Sequence, residues 1–146
     1  QMNILIVEDN MNKLEQIRDY LNGAIENANI DSAHSFNSGM KKILSGHWNL
    51  IVLDMSLPTY EISQTENGGD KKPVAGRDIM KRMKNKRMNI PVIIITQFET
   101  FDDNKYTLNS LNTFFEEEFS DIWKGTVYYG NDDWTVEVDE ILKEIL

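Results

Sequence analysis

Uninterrupted runs of apolar residues recur along the chain, separated by segments with a helical repeat. The runs are NILIV at residues 3–7, LIVL at 50–53 and IPVIIIT at 90–96, with weaker strand patterns in IDSAHSF at 30–36 and TVYY at 126–129. A strand that is apolar on both faces is typical of a parallel sheet covered by helices on both sides. The five runs therefore predict five strands of one buried sheet.

Apolar residues spaced three or four positions apart follow each run and predict five helices. Gly23 suits the end of the first helix, and Asp132 or Asp133 can cap the last. The predicted buried positions are Leu14, Ile17, Leu21 and Ile25; Phe36, Met40, Ile43 and Leu44; Ile79, Met80 and Met83; Leu108, Leu111, Phe115, Phe119 and Ile122; and Trp134, Val138, Ile141, Leu142 and Ile145. Strands that alternate with helices predict an open, doubly wound α/β fold.

One segment shows neither the apolar runs of a strand nor the three-to-four-residue repeat of a helix. Residues 56–75, SLPTYEISQTENGGDKKPVA, are polar and rich in glycine and turn formers. They predict a long loop between the third strand and the third helix, and loops of this length are often functional.

The composition is that of a globular domain with an acidic surface. A length of 146 residues suits about one domain, and the net charge of −9 argues against nucleic acid as a partner. No apolar run approaches the ~20 residues of a membrane span, so we expect no membrane partner and a cytoplasmic location. The chain contains no cysteine, which excludes disulfides and thiolate metal sites.

Polar side chains stand where three of the predicted strands end. Glu8 and Asp9 follow the first strand, Asp54 ends the third, and Thr96 ends the fourth. In doubly wound sheets ligands bind at this edge, and three crowded carboxylates favour a hard cation such as Mg²⁺. Asp54 could then attack a phosphoryl group, with the Thr96 hydroxyl binding a phosphoryl oxygen. An aspartate after a strand is most often part of a turn or a helix cap, so the prediction rests on the combined pattern.

Three motifs in this order carry a family resemblance. ILIVEDN at residues 4–10, LIVLDMSLP at 50–58 and PVIIIT at 91–96 resemble the receiver domain of two-component response regulators. The resemblance covers almost the whole chain. It implies a flavodoxin-like (CheY-like) fold with a five-stranded parallel sheet in the order 2-1-3-4-5.

The same resemblance implies a role for each residue at the strand ends. Asp54 matches the phosphoacceptor, and Thr96 matches the switch hydroxyl. Tyr128 or Tyr129 falls near the aromatic switch position of the family. The implied Mg²⁺ ligands are the carboxylates of Glu8, Asp9 and Asp54 and the backbone carbonyl of Ser56.

The chain departs from the family after the last predicted strand. The family has a lysine there that pairs with the phosphoryl group, whereas VYYGNDDW places Tyr129 or Gly130 at that position. Lys71 and Lys72 could replace the missing cation, but two lysines of an exposed loop are the favoured interpretation. We therefore expect slow phosphorylation of Asp54 and a weak response at Thr96. On this view the loop at 56–75 and the helix before the last strand form a binding surface that works largely without phosphate.

Three functions remain open at this stage. The first is a receiver that is phosphorylated at Asp54 and acts through protein–protein interaction in a phosphorelay, without being an enzyme in its own right. The second is a pseudo-receiver that binds proteins independently of phosphate. The third is a Mg²⁺-dependent phosphohydrolase, which is disfavoured because its usual second aspartate is Ser56 here.

The first function predicts which partners the protein binds and which residues form the domain. It predicts a histidine kinase or a phosphotransfer protein as the phosphodonor and a downstream protein of unknown identity, and it leaves a homodimer open. We expect residues 2–146 to form a single receiver-like domain. A piece of a longer protein would have the same sequence features.

Overall fold

The computed structural model describes residues 1–63 and 67–146. Its helices are α1 (Met11–Ala24), α2 (Phe36–Ser45), α3 (Ala75–Asn85), α4 (Leu108–Glu118) and α5 (Trp134–Ile145). Its strands are β1 (Met2–Val7), β2 (Ala28–Ala33), β3 (Leu50–Leu53), β4 (Leu57–Pro58), β5 (Lys71–Lys72), β6 (Val92–Thr96), β7 (Thr100–Phe101), β8 (Tyr106–Thr107) and β9 (Trp123–Tyr128). None of the helices described is long and apolar enough to cross a membrane.

Five strands form one parallel sheet in the order β2-β1-β3-β6-β9. Counted within this sheet alone, the order is 2-1-3-4-5, which confirms the predicted flavodoxin-like fold. All carboxyl ends of the strands consequently lie at one edge.

Alternation along the central strands divides the core into two layers. Ile4 and Ile6 of β1 pack with residues of α1 and α5. Leu5 and Val7 of the same strand pack with residues of α2, α3 and α4. Each central strand is buried on both faces because successive side chains point to opposite sides of the sheet.

Several element predictions were wrong in detail. Leu44 is 49% exposed instead of buried, because it lies at the outer edge of the α2 stripe. The predicted long fourth helix ends at Glu118, although Ile122 beyond it is still buried. Gly23 lies inside α1. Asp133 is the N-cap of α5 but makes no side-chain capping bond.

Two short antiparallel pairs were not predicted, and one of them lies in the predicted loop. The segment 56–75 contains an antiparallel pair in which Leu57 faces Lys72 and Pro58 faces Lys71. Residues 64–66 of that segment lie outside the described part of the chain. A second antiparallel pair, β7 with β8, precedes α4. Strands of two residues are too short to show an alternating pattern.

Candidate functional site

Glu8, Asp9 and Asp54 converge at the carboxyl edge of the sheet, as the sequence predicts. One oxygen atom from each carboxylate lies within 4.8 Å of the others. They meet because β1 and β3 are neighbours in register, with Val7 opposite Leu53. Glu8 and Asp54 are buried, whereas the side chain of Asp9 is 22% exposed.

The ammonium group of Lys13, on the first turn of α1, lies among these carboxylates. Its Nζ atom is 2.6 Å from Glu8 Oε1 and 3.3 Å from Asp54 Oδ1. Nζ also donates a 2.8 Å hydrogen bond to the backbone carbonyl of Ile95, near the end of β6. The Lys13 side chain is only 1% exposed, so its amino group is buried inside the acidic cluster.

Backbone groups orient two of the carboxylates. The Asn10 N–H donates to Glu8 Oε2 at 3.0 Å, and the Met55 N–H donates to Asp54 Oδ1 at 2.8 Å. Glu8 Oε1 has the close charge contact to Lys13 but no aligned hydrogen bond among the residues described. Lys13 is therefore the partner of this buried oxygen atom, and a metal ion at the cluster would share the oxygen with the ammonium group.

Burial is the main influence on the protonation of the cluster. It raises the pKa of Glu8 to about 8, with the Asp54 charge adding to the rise and Lys13 opposing it. Burial also raises the pKa of Asp54, again against the attraction of Lys13. Both carboxyl groups hold their protons more tightly than they would in the unfolded chain.

This shift predicts how the stability of the metal-free protein depends on pH. Between pH 4.5 and about 8 the folded state binds more protons at Glu8 than the unfolded state does. The free energy of unfolding should therefore fall as pH rises through this window, by at most about 1.4 kcal/mol per pH unit from Glu8 alone. Asp54 acts in the same direction. Urea denaturation in a chelator at several pH values measures the slope.

Glu8→Gln provides the control for this prediction, because glutamine cannot lose a proton. Its unfolding free energy should depend less on pH over the same window. An equal slope in the two proteins would show that Glu8 is not the group responsible.

Thr96 is the last residue of β6, and Tyr128 is the last residue of β9. They are register partners in β6 and β9, and their side chains therefore point to the same face. Thr96 is fully buried, and its Oγ1 accepts a 3.3 Å hydrogen bond from the Phe98 N–H. Among the residues described, the Thr96 hydroxyl makes no hydrogen bond to the carboxylates.

Tyr129 faces the opposite side of the sheet from Tyr128. Its N–H donates to the Thr96 carbonyl at 2.7 Å, and its hydroxyl donates to the side chain of Gln16 on α1. Its ring centroid lies 5.7 Å from the Lys13 Nζ atom. The two tyrosines proposed for one switch position thus have different surroundings.

The remaining candidates lie along the segment that follows β3. Ser56 is buried, two residues beyond Asp54. Lys71, on β5, places its Nζ atom 3.8 Å from Asp9 Oδ2 and is 55% exposed. Lys72 stacks instead on the ring of Phe36, with 4.5 Å between Nζ and the ring centroid. Only the first of these two lysines is close to the acidic cluster.

Comparison with known families matches the greater part of the chain. The model for the response regulator receiver domain matches residues 4–114. This chain belongs to that family. The family relationship agrees with the observed strand order.

Similar proteins support the assignment to receiver domains. The uncharacterised protein y4jR of Sinorhizobium fredii is 31% identical over 133 residues, which cover 88% of this chain and 87% of that protein. The Detocs response regulatory protein DtcB of Vibrio alginolyticus is 30% identical, with 96% and 99% of the two chains covered. The response regulator TrrA of Thermotoga maritima, solved in complex with Mg²⁺-BeF, covers 100% of both chains with a TM-score of 0.62 at 20% identity. At this sequence identity, the similarity to TrrA supports the fold alone.

Sequence reasoning missed Lys13 as part of the receiver site. Lys13 stands four residues before Ile17 and eight before Leu21, in line with the buried face of α1. A lysine in the first turn of a helix is also unfavourable to the helix dipole. These two signals mark Lys13 as unusual, but they do not identify its partners.

Proposed function

We propose that residues 2–146 form one receiver unit in which Asp54 accepts a phosphoryl group from a phosphohistidine of a histidine kinase or phosphotransfer protein. The convergence of Asp54 with Glu8 and Asp9 carries this proposal. A carboxylate oxygen of Asp54 forms the new bond to phosphorus. The bond between phosphorus and the donor histidine nitrogen breaks, and that nitrogen keeps the electron pair.

The acidic cluster fits a Mg²⁺ ion. Three carboxylate oxygens lie close together, and among the described residues the only close partner of the buried Glu8 Oε1 atom is the Lys13 ammonium. Oxygen ligands of this kind suit Mg²⁺. The proposed ligands are the carboxylates of Glu8, Asp9 and Asp54 and the backbone carbonyl of Ser56. When bound, Mg²⁺ would offset the negative charge of the carboxylates and of the incoming phosphoryl oxygens.

Thr96 and Tyr128 are the proposed responders to phosphorylation. Their shared face supports a coupled change, in which the Thr96 hydroxyl leaves the Phe98 backbone and hydrogen-bonds the phosphoryl group. Tyr128, which is partly exposed, would adjust its ring to the space that this movement leaves. The output would then be a change of surface that a downstream protein recognises.

The experiment that tests this proposed function records backbone NMR spectra during titration with beryllofluoride and Mg²⁺. Saturable shifts around Asp54 that spread to Thr96 and Tyr128 are the expected result. Retained binding of a partner protein with no shift at Asp54 would instead favour the pseudo-receiver. That second function is favoured by one observation, namely that Lys13 already neutralises part of the buried acidic charge.

Asp9→Asn should abolish or strongly weaken Mg²⁺ binding. The change removes one anionic ligand and relieves repulsion within the cluster, so we expect an affinity at least about tenfold lower without a loss of stability. Isothermal titration with MgCl₂ and urea denaturation measure the two effects.

Asp19→Asn is the matched control, since Asp19 lies exposed on α1. This variant should bind Mg²⁺ like the unmodified protein. Equal affinity in Asp9→Asn and the unmodified protein would contradict the proposed ligand set.

A further inference from the structure

We infer that Lys13, supplied from α1, is the cationic partner of the phosphoryl group in this protein. It would replace the lysine that the family places after the last strand. The inference rests on the proposed function, because it requires Asp54 to carry the phosphoryl group.

The contacts of Lys13 already direct its charge at the acceptor. A lysine ammonium has three N–H donors, and here the Nζ atom has three oxygen neighbours. These are the Ile95 carbonyl at 2.8 Å, Glu8 Oε1 at 2.6 Å and Asp54 Oδ1 at 3.3 Å. A phosphoryl group attached to Asp54 would place phosphorus one bond from a carboxylate oxygen and the phosphoryl oxygens one bond further, next to the ammonium group that already contacts Asp54.

The ammonium also lies on the side from which a lysine after β9 would approach. Its carbonyl partner, Ile95, belongs to β6 and is the register partner of Val127 in β9. The ring of Tyr129, one of the two residues that fall at the position of the missing lysine, stands 5.7 Å from Nζ. The Tyr129 hydroxyl binds Gln16, so this aromatic ring is anchored to the helix that carries Lys13. A lysine from α1 and an aromatic residue after β9 therefore fill the space together.

The other candidate cation is less suited to this role. Lys71 lies 3.8 Å from Asp9 and is 55% exposed, so solvent screens its charge and its side chain must be ordered on binding. Lys13 is buried and already held in place, so little conformational entropy remains to be lost.

This assignment changes the response expected of the domain. The absence of a lysine after β9 predicts a weak response at Thr96. With Lys13 as the cation, the phosphorylated state recovers its charge-assisted contact, and we expect a full response to beryllofluoride.

The test compares three variants with the unmodified protein. They are Lys13→Met, Lys71→Met, which removes the alternative cation, and the double variant Lys13→Met/Tyr129→Lys, which returns a lysine to one of the two candidate family positions. For each protein, Mg²⁺ affinity is measured first. The affinity for beryllofluoride at saturating Mg²⁺ follows, by ¹⁹F and backbone NMR.

Opposite changes in the two affinities are expected for Lys13→Met. Mg²⁺ should bind more tightly, because a competing cation has left the carboxylates. Beryllofluoride should bind about 10- to 100-fold more weakly, because a charge-assisted contact is lost. The double variant should regain most of the beryllofluoride affinity, and Lys71→Met should keep the beryllofluoride affinity of the unmodified protein. General damage to the site would weaken both ligands together and would not be repaired by a second substitution.

Two results would overturn the inference while leaving the proposed function intact. One is unchanged beryllofluoride affinity in Lys13→Met. The other is an unmoved Lys13 ammonium resonance when the unmodified protein is saturated with Mg²⁺ and beryllofluoride, a measurement that does not depend on the variant folding. Failure of the unmodified protein to bind beryllofluoride at all would instead refute phosphorylation at Asp54.

Discussion

Asp54→Asn is expected to eliminate phosphorylation of this protein by acetyl phosphate in the presence of Mg²⁺. An amide has no anionic oxygen to attack phosphorus, and the remaining carboxylates of the cluster lack the position of Asp54 at the end of β3. Intact-mass spectrometry should show one added phosphoryl group on the unmodified protein and none on the variant. The rate should fall at least about 100-fold, which is the usual scale for loss of an essential group.

The variant should keep its fold, because asparagine retains the oxygen that accepts the Met55 N–H. Asp19→Asn again serves as the control for a general effect of removing an acidic group, and it should be phosphorylated normally. Phosphoryl incorporation into Asp54→Asn at the rate of the unmodified protein would show that another residue is the acceptor.

Lys13→Met is expected to destabilise the metal-free protein by about 3 kcal/mol at pH 8. The substitution leaves Glu8 and Asp54 buried without their cation, and breaking one side of a buried ion pair typically costs about 3–5 kcal/mol. Proton uptake by Glu8, whose pKa is already about 8, should offset part of this cost. The loss of stability should therefore be smaller at pH 6 than at pH 8 when both are measured by urea denaturation in a chelator.

A second substitution separates the charge effect from the lost packing of the lysine stem. Glu8→Gln/Lys13→Met removes the unpaired buried charge and should be more stable than Lys13→Met alone. Lys71→Met changes an exposed pair and should shift the unfolding free energy by less than about 1 kcal/mol. A Lys13→Met protein as stable as the unmodified one would show that the buried ammonium is not a net stabilising partner.

The sheet and its acidic edge were predictable because their signals are local. NILIV, LIVL and IPVIIIT are buried on both faces, so a continuous apolar run sufficed to identify β1, β3 and β6. The residues that follow such runs necessarily reach one sheet edge once the strands are parallel. This is why Glu8, Asp9 and Asp54 could be placed together without coordinates.

Features that depend on distant contacts were not predictable in the same way. The pairing of β4 with β5 joins residues more than ten positions apart through two residues on each side, which leaves no periodic pattern. Lys13 is the clearest example. Its partners are Glu8, Asp54 and Ile95, and only the first is near in sequence. A lysine at the start of a helix otherwise suggests a solvated side chain.

The position of the buried lysine has a consequence for how related sequences should vary. If one ammonium group serves the acceptor, selection acts on the pair of positions 13 and 129 and not on either one separately. Relatives with a lysine at position 13 should carry an aromatic residue after the last strand. Relatives with a lysine after that strand should carry an uncharged residue on the first turn of α1, because two cations in this space would repel each other. Covariation between these two positions would then divide receiver domains into those with the lysine on α1 and those with the lysine after the last strand. A receiver domain without a lysine after the last strand would no longer be classed as unable to respond to phosphorylation for that reason alone.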